Sequence, residues 1–164
     1  MDRSEFINKH INPGKYSWRE IDGKIVINSS KYIDLKCLTL PEGVVFDNST
    51  GITFNFLNEI PEGTTFLNRN SIFFQTKLNS IGKGTRFNNW HGLVFNDGIE
   101  KIGENVIFEN SGDIILRGGN IRGLSKGVKF NNGGSVGTAE LSLSMDGISN
   151  KRILNCMIKQ LYGE

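Results

Sequence analysis

Two histidines, two cysteines and a loose set of carboxylates are the residues that could carry chemistry in this 164-residue chain. General acid–base or nucleophilic catalysis needs such groups to converge. His10 sits near the start of the chain and His91 stands beside Trp90, several sequence repeats away, so the two are not expected to meet. The serines occupy no GxSxG elbow, and there is no P-loop, dinucleotide fingerprint or HExxH segment. Cys37 and Cys156 belong to no CxxC pair or Cys/His cluster; zinc is not expected, and they read as two buried thiols of a reducing compartment. Asp97, Glu100, Glu104, Glu109 and Asp113 gather in two neighbouring repeats, as the carboxylates of a carbohydrate-active enzyme would. Their differing positions within the repeat favour a solvated acidic edge instead. No catalytic residue, metal or cofactor is predicted.

The charge balance narrows the partners. Nineteen basic against 17 acidic residues leave +2, which argues against strong electrostatic attraction to nucleic acid or anionic lipid, and against an acidic DNA mimic. Lys77, Lys83, Arg86, Arg117, Arg122, Lys126 and Lys129 are interleaved with acids, and no series of stacking aromatics accompanies them. The opening MDRSEFINKHINPGK is polar, and no 18-residue apolar run follows. The expectation is a soluble, cytoplasmic chain with no membrane partner.

What must position these residues is a repeat. LPEGVVFDN at Leu40, IPEGTTFLN at Ile60, IGKGTRFNN at Ile81, IGENVIFEN at Ile102 and LSKGVKFNN at Leu124 align at spacings of 20, 21, 21 and 22 residues. One column is Phe46, Phe66, Phe87, Phe108 and Phe130; the next is Asn48, Asn68, Asn89, Asn110 and Asn132. Gly43, Gly63, Gly84, Asn105 and Gly127 form a third, and the Gly-to-Asn exchange predicts a left-handed backbone there. The residue before it is charged (Glu42, Glu62, Lys83, Glu104, Lys126), which predicts an exposed corner with charge pairs between repeats. The asparagines predict a ladder bonded from side chain to side chain and to the turn backbone.

A second strand follows each phenylalanine. Ile52, Ile72, Leu93, Ile114 and Val136 lie six residues on; Phe54, Phe74, Phe95 and Leu116 lie eight on, so alternation puts both columns on one inward face. Leu57, Leu78, Ile99 and Ile121 form a further apolar column. A single coil cannot bury this face, but neighbours stacked at about 4.8 Å can. The predicted fold is therefore all-β: a parallel β-solenoid of about six coils near 21 residues each, in one domain.

Residues 1–16 are predicted to cap its N-terminal end, with a short helix over 2–11 presenting Phe6, Ile7 and Ile11. Residues 17–37 are read as a degenerate first coil, because Gly23 and Asn28 fall 20 residues before Gly43 and Asn48. Five regular coils are assigned to 38–145. A capping α-helix is assigned to 146–164, N-capped by Ser149 or Asn150, with Ile153, Leu154, Met157, Ile158 and Leu161 at helical spacing.

The LPEG-type segments, with the lead-in INPGKYSWREIDGKIVIN and YIDLKCLTLP, resemble the short leucine-rich-repeat-like arrays of bacteriophage and some bacterial proteins. Most of the leucines of those arrays are phenylalanine here, which brings the coil closer to a β-helix. The resemblance implies a small accessory protein, phage-encoded and acting in the host cytoplasm. It brings no catalytic residues.

On the outward side of the second strand, Thr53, Phe73, Val94 and Ile115 share one column, and Asn55, Gln75, Asn96 and Arg117 share the next. An exposed apolar stripe of Phe73, Val94 and Ile115 beside a polar row has the anatomy of a protein-binding face. Trp90 and His91 lie at the corner leading into it; Trp90 fills a slot held elsewhere by Ser49, Arg69 and Ser111, and an exposed indole there would serve as an anchor. The expected function is a non-catalytic module that binds a host protein to modulate or inhibit it, as in counter-defence or host takeover. The alternatives are an oligomeric virion or assembly component, and a carbohydrate-active solenoid enzyme.

Overall fold

The structure, a computed structural model, describes residues 1–118 and 121–131 and the strands Ser135–Gly137 and Ser142–Ser144. It is a parallel β-solenoid of about five turns. Three sheets run along the stack, joined by corners. The first holds Lys24–Ile27, Val45–Asn48, Thr65–Asn68, Arg86–Asn89, Ile107–Phe108 and Lys129–Phe130. The second holds Ile33–Leu35, Ile52–Phe54, Ile72–Phe74, Leu93–Phe95, Ile114–Leu116 and Ser135–Gly137. The third holds Glu59–Ile60, Ser80–Ile81, Ile99–Ile102 and Ile121–Leu124.

The repeat columns are the strand registers. Phe46 pairs with Phe66, Phe66 with Phe87, and Phe87 with Phe108. Alternation drives every one of these rings inward, where they stack nearly parallel at centroid distances of 5.3, 4.9, 4.8 and, for Phe108–Phe130, 4.5 Å. Phe54, Phe74 and Phe95 make a second pile from the second sheet, at 5.1 and 4.9 Å. The two piles meet edge to face, as for Phe46–Phe54 at 88°. Offset stacking and edge contacts add about 0.5–1.5 kcal/mol per pair beyond area burial.

The position after the left-handed residue is either Val or Thr: Val44, Thr64, Thr85, Val106 and Val128, all buried. The two hydroxyls are satisfied by one carbonyl, since Thr64 and Thr85 both donate to the Pro61 oxygen, at 2.8 and 3.3 Å. The left-handed column itself is as predicted, with φ of 73°, 73°, 71°, 58° and 75° from Gly43 to Gly127.

The asparagine ladder differs from expectation. Each buried amide donates to the turn two residues ahead: Asn48 to the Thr50 carbonyl and Asn110 to that of Gly112, both at 2.7 Å, and Asn89 to those of His91 and Gly92. The Oδ1 atoms of Asn48, Asn68, Asn89 and Asn110 accept no hydrogen bond. These side chains thus fix the corner rather than one another. The charged column before the left-handed residue forms no ladder of ion pairs among the described residues: pairs between coils lie on the sheets, Arg86–Glu109 at 2.6 Å on the first and Lys77–Glu100 at 2.9 Å beside the third.

All variation in repeat length falls at one corner. The step from Leu40 to Phe46 and from Phe46 to Ile52 is six residues, and both steps are the same in every later coil. Between the inward residue ending the second strand and the next inward apolar residue the link grows: one residue between Leu35 and Cys37, two between Phe54 and Leu57, three between Phe74 and Leu78 and between Phe95 and Ile99. Cys37, 3 % exposed, is therefore the first member of the column Leu57, Leu78, Ile99 and Ile121.

The ends depart from the coil. Asp2 N-caps the helix Arg3–Phe6, which runs into a π-type turn at Ile7–Ile11; Phe6, Ile7 and Ile11 close the core as expected. The first coil needs correction. Trp18–Ile21 and Lys24–Ile27 form an antiparallel hairpin through Asp22 and Gly23, both at positive φ, which is the two-residue turn that Asp-Gly favours. Val26 pairs with Val45 and Ile27 with Phe46, an offset of 19 rather than 20. The slot of Asn48 thus falls to Ser29, which is buried, whereas Asn28 is exposed. At the other end Ser142–Ser144 pairs antiparallel with Ser135–Gly137, so the regular coils stop before residue 145. Asn132 and the helix assigned to 146–164 lie outside the described residues.

Candidate functional site

The groups that could do chemistry are dispersed by the three-sided coil. Glu109 faces out from the first sheet and pairs with Arg86; Asp113 immediately precedes the strand Ile114–Leu116 of the second; Glu100 belongs to the third. Asp97 sits at the corner between the second and third sheets, and Glu104 at the corner after the third. Lys77 donates to Glu100, and with Arg122 nearby holds its carboxyl below the usual range. Among the described residues no three His, Cys, Asp or Glu side chains are grouped to hold a metal. His10 lies in the N-terminal cap, 6.2 Å from the Phe6 ring, and His91 is exposed at a corner of the fourth coil. Burial pushes the Cys37 thiol up to about 11, which removes the thiolate a nucleophile needs.

The second sheet presents a different kind of surface. The registers Asp34–Thr53–Phe73–Val94–Ile115 make the central outward column. Backbone bonds extend the ladder on both sides. Ile52 donates to Ser71, Ile72 to Gly92 and Leu93 to Asp113, so Gly51, Ser71, Gly92 and Asp113 form the flank where the chain enters. Gln75 donates to Phe54, Asn96 to Phe74 and Arg117 to Phe95, so Asn55, Gln75, Asn96 and Arg117 form the flank where it leaves. These are the amide row and guanidinium anticipated from the repeat, and they stand at the corner of variable length.

The apolar stripe is less exposed than the sequence suggests. Phe73 and Ile115 are half-buried, and Val94 is only 3 % exposed although it points outward. Strands about 4.8 Å apart place the two larger side chains directly on either side of it. The stripe thus offers two ridges over a filled groove. Toward the N-terminal end the column turns polar: Tyr32 lies across Gly51 and bonds to Thr53, and Asn55 donates to Asp34. Among the amides, Asn96 donates to Gln75.

Trp90 is 56 % exposed and carries the Arg69 guanidinium 5.1 Å from its ring centroid. The indole is therefore a surface group braced by a cation from the preceding coil. Sequence reasoning noted that Arg69 and Trp90 share a slot but drew no contact from it. Tyr32, Leu38 and Phe56 are exposed as well; they lie in the first two coils, where the corner is one and two residues long, and only the register reveals that they point out. No helix among the described residues is long and apolar enough to cross a membrane. No protein-family model, curated protein or solved structure matches this chain.

Proposed function

We propose that this chain is a non-catalytic binding protein whose contact surface is the outer face of the second sheet. The observation that carries the reading is the ladder Phe73–Val94–Ile115, flanked by an amide row and by an indole at the adjoining corner. Parallel strands hold these side chains on a preorganised backbone, which lowers the ordering cost at binding, and Trp and Arg are both enriched among interface anchors. The dispersal of Glu100, Glu109 and Asp113 over three sheets favours binding over hydrolysis. The resemblance to phage repeat arrays supplies the biological setting: an accessory protein that occupies a host protein in the cytoplasm and modulates or inhibits it.

The test is capture from a bacterial lysate by the immobilised chain. Phe73→Glu with Ile115→Glu should keep the fold, seen as an unchanged melting midpoint, and lose at least tenfold of a specifically captured protein. Leu67→Glu, on the outer face of the first sheet, should lose nothing. Equal capture by all three chains removes the reading.

A further inference from the structure

The two flanks of the second sheet are unequal, and the inequality is self-complementary. The entering flank is short in the middle coils, at Ser71 and Gly92, then carries Asp113, while Tyr32 fills the space over Gly51. The leaving flank is long: Asn55, Gln75, Asn96, then Arg117. Each lies two residues from the central column, so the column is equidistant from both. Resting on the reading of this face as a contact surface, we propose that in the absence of a host partner it is occupied by a second copy of the chain, which the partner displaces, packed face to face about a two-fold axis that runs along the stack.

Such an axis keeps each coil opposite its own copy and exchanges the flanks. Ser71 then faces Gln75 of the second copy, and Gly92 faces Asn96, so short side chains receive long ones. In the next coil Asp113 faces Arg117 of the second copy, and symmetry makes that ion pair twice. Phe73 and Ile115 meet their own counterparts on the axis, above the already buried Val94. A two-fold axis running parallel to the strands does none of this. It reverses the coil order, sets short flank on short and long on long, and leaves Arg117 opposite Gln75. At the N-terminal end Asp34 would oppose Asp34, which confines the contact to the coils after the first.

The size of the patch sets the strength. Four coils at about 4.8 Å and five residues at about 3.3 Å project roughly 300 Å², well below the roughly 800 Å² per partner of a standard interface. The dimer is weak, with a dissociation constant in the micromolar range.

Sedimentation velocity of the full chain from about 1 to 300 μM tests this by charge exchange. Wild type should shift from monomer to dimer across that range. Arg117→Asp alone places like charges opposite each other and should stay monomeric, and so should Asp113→Arg alone. An equimolar mixture of the two variants restores both pairs and should dimerise within threefold of wild type. Phe73→Glu, which sets two carboxylates on the axis, should also give monomers, so the inference does not hang on the charge variants folding. Wild type monomeric throughout, or a mixture that stays monomeric while both variants melt like wild type, overturns it. A monomer that still captures a partner through Phe73 and Ile115 rejects the second copy and leaves the contact surface standing. A dimer broken by Leu67→Glu and not by Phe73→Glu rejects both.

Discussion

The Arg69 guanidinium stands 5.1 Å from the centre of the Trp90 ring, 21 residues along and one coil on. A cation over an exposed indole is worth about 0.5–1 kcal/mol, so Trp90→Ala should cost about 1 kcal/mol or less of folding stability by urea denaturation. Its effect on partner capture should be much larger, at least tenfold, with Arg69→Ala intermediate. A loss of stability near 3 kcal/mol with capture intact would make Trp90 a packing residue instead.

The aromatic pile should behave as a core. Phe87 stacks on Phe66 and on Phe108, at 4.9 and 4.8 Å, and touches Phe74 and Phe95 edge-on. Phe87→Ala opens a cavity with rings on every side and should cost about 3–5 kcal/mol in chemical denaturation. Phe87→Leu fills most of that space and should cost about 1–2 kcal/mol. Equal costs would mean that the ring is not enclosed.

The corner of variable length makes an insertion prediction. One glycine inserted between Thr76 and Lys77 lengthens a link that ranges from one residue, between Leu35 and Cys37, to four, between Leu116 and Ile121, and should cost less than about 1 kcal/mol. The same glycine between Asn68 and Ile72 breaks a step that is six residues in every coil. It turns the inward side chains of the following strand outward and should abolish cooperative melting. Thermal melts of the two variants give opposite results if the register is as described.

Cys37 gives a pH signature. Its folded thiol is raised from 9.0 to about 11 by burial. Below pH 9 both folded and unfolded chains hold the proton and the stabilisation is complete. Between 9 and 11 only the folded chain holds it, so stability falls as pH rises, by up to about 3 kcal/mol. In a Cys156→Ser background, the further change Cys37→Ala should remove that component of the alkaline slope, and Cys37 should resist thiol reagents at pH 8 until the chain is unfolded. Rapid labelling of the native chain would contradict the burial.

Much of the fold was legible because a stacked coil repeats one environment per column. Phe46 to Phe130 declared an interior, and Asn105 among glycines declared a left-handed corner, before any coordinates. What stayed hidden was decided by partners a single coil does not display. Gly23 falls in phase with the glycines of the later coils, which hides that Asp22-Gly23 is a hairpin turn in its own right. Cys37 escaped its column because the corner before it is one residue long. Val94 was read as exposed because alternation gives direction; burial depends on the size of the neighbours above and below. The proposed contact surface is visible in the sequence as a column, but the opposition of short and long flanks across it needs the register.

Footprinting of side chains by carbene labelling, comparing the dilute free chain with its purified complex, tests the central claim about the second sheet most directly. The prediction is strong protection of Phe73, Trp90 and Ile115, with Leu38, Phe56 and Leu67 labelled as before. Protection of Leu38, Phe56 or Leu67 with Phe73 and Ile115 unchanged would place the functional surface on another side of the coil.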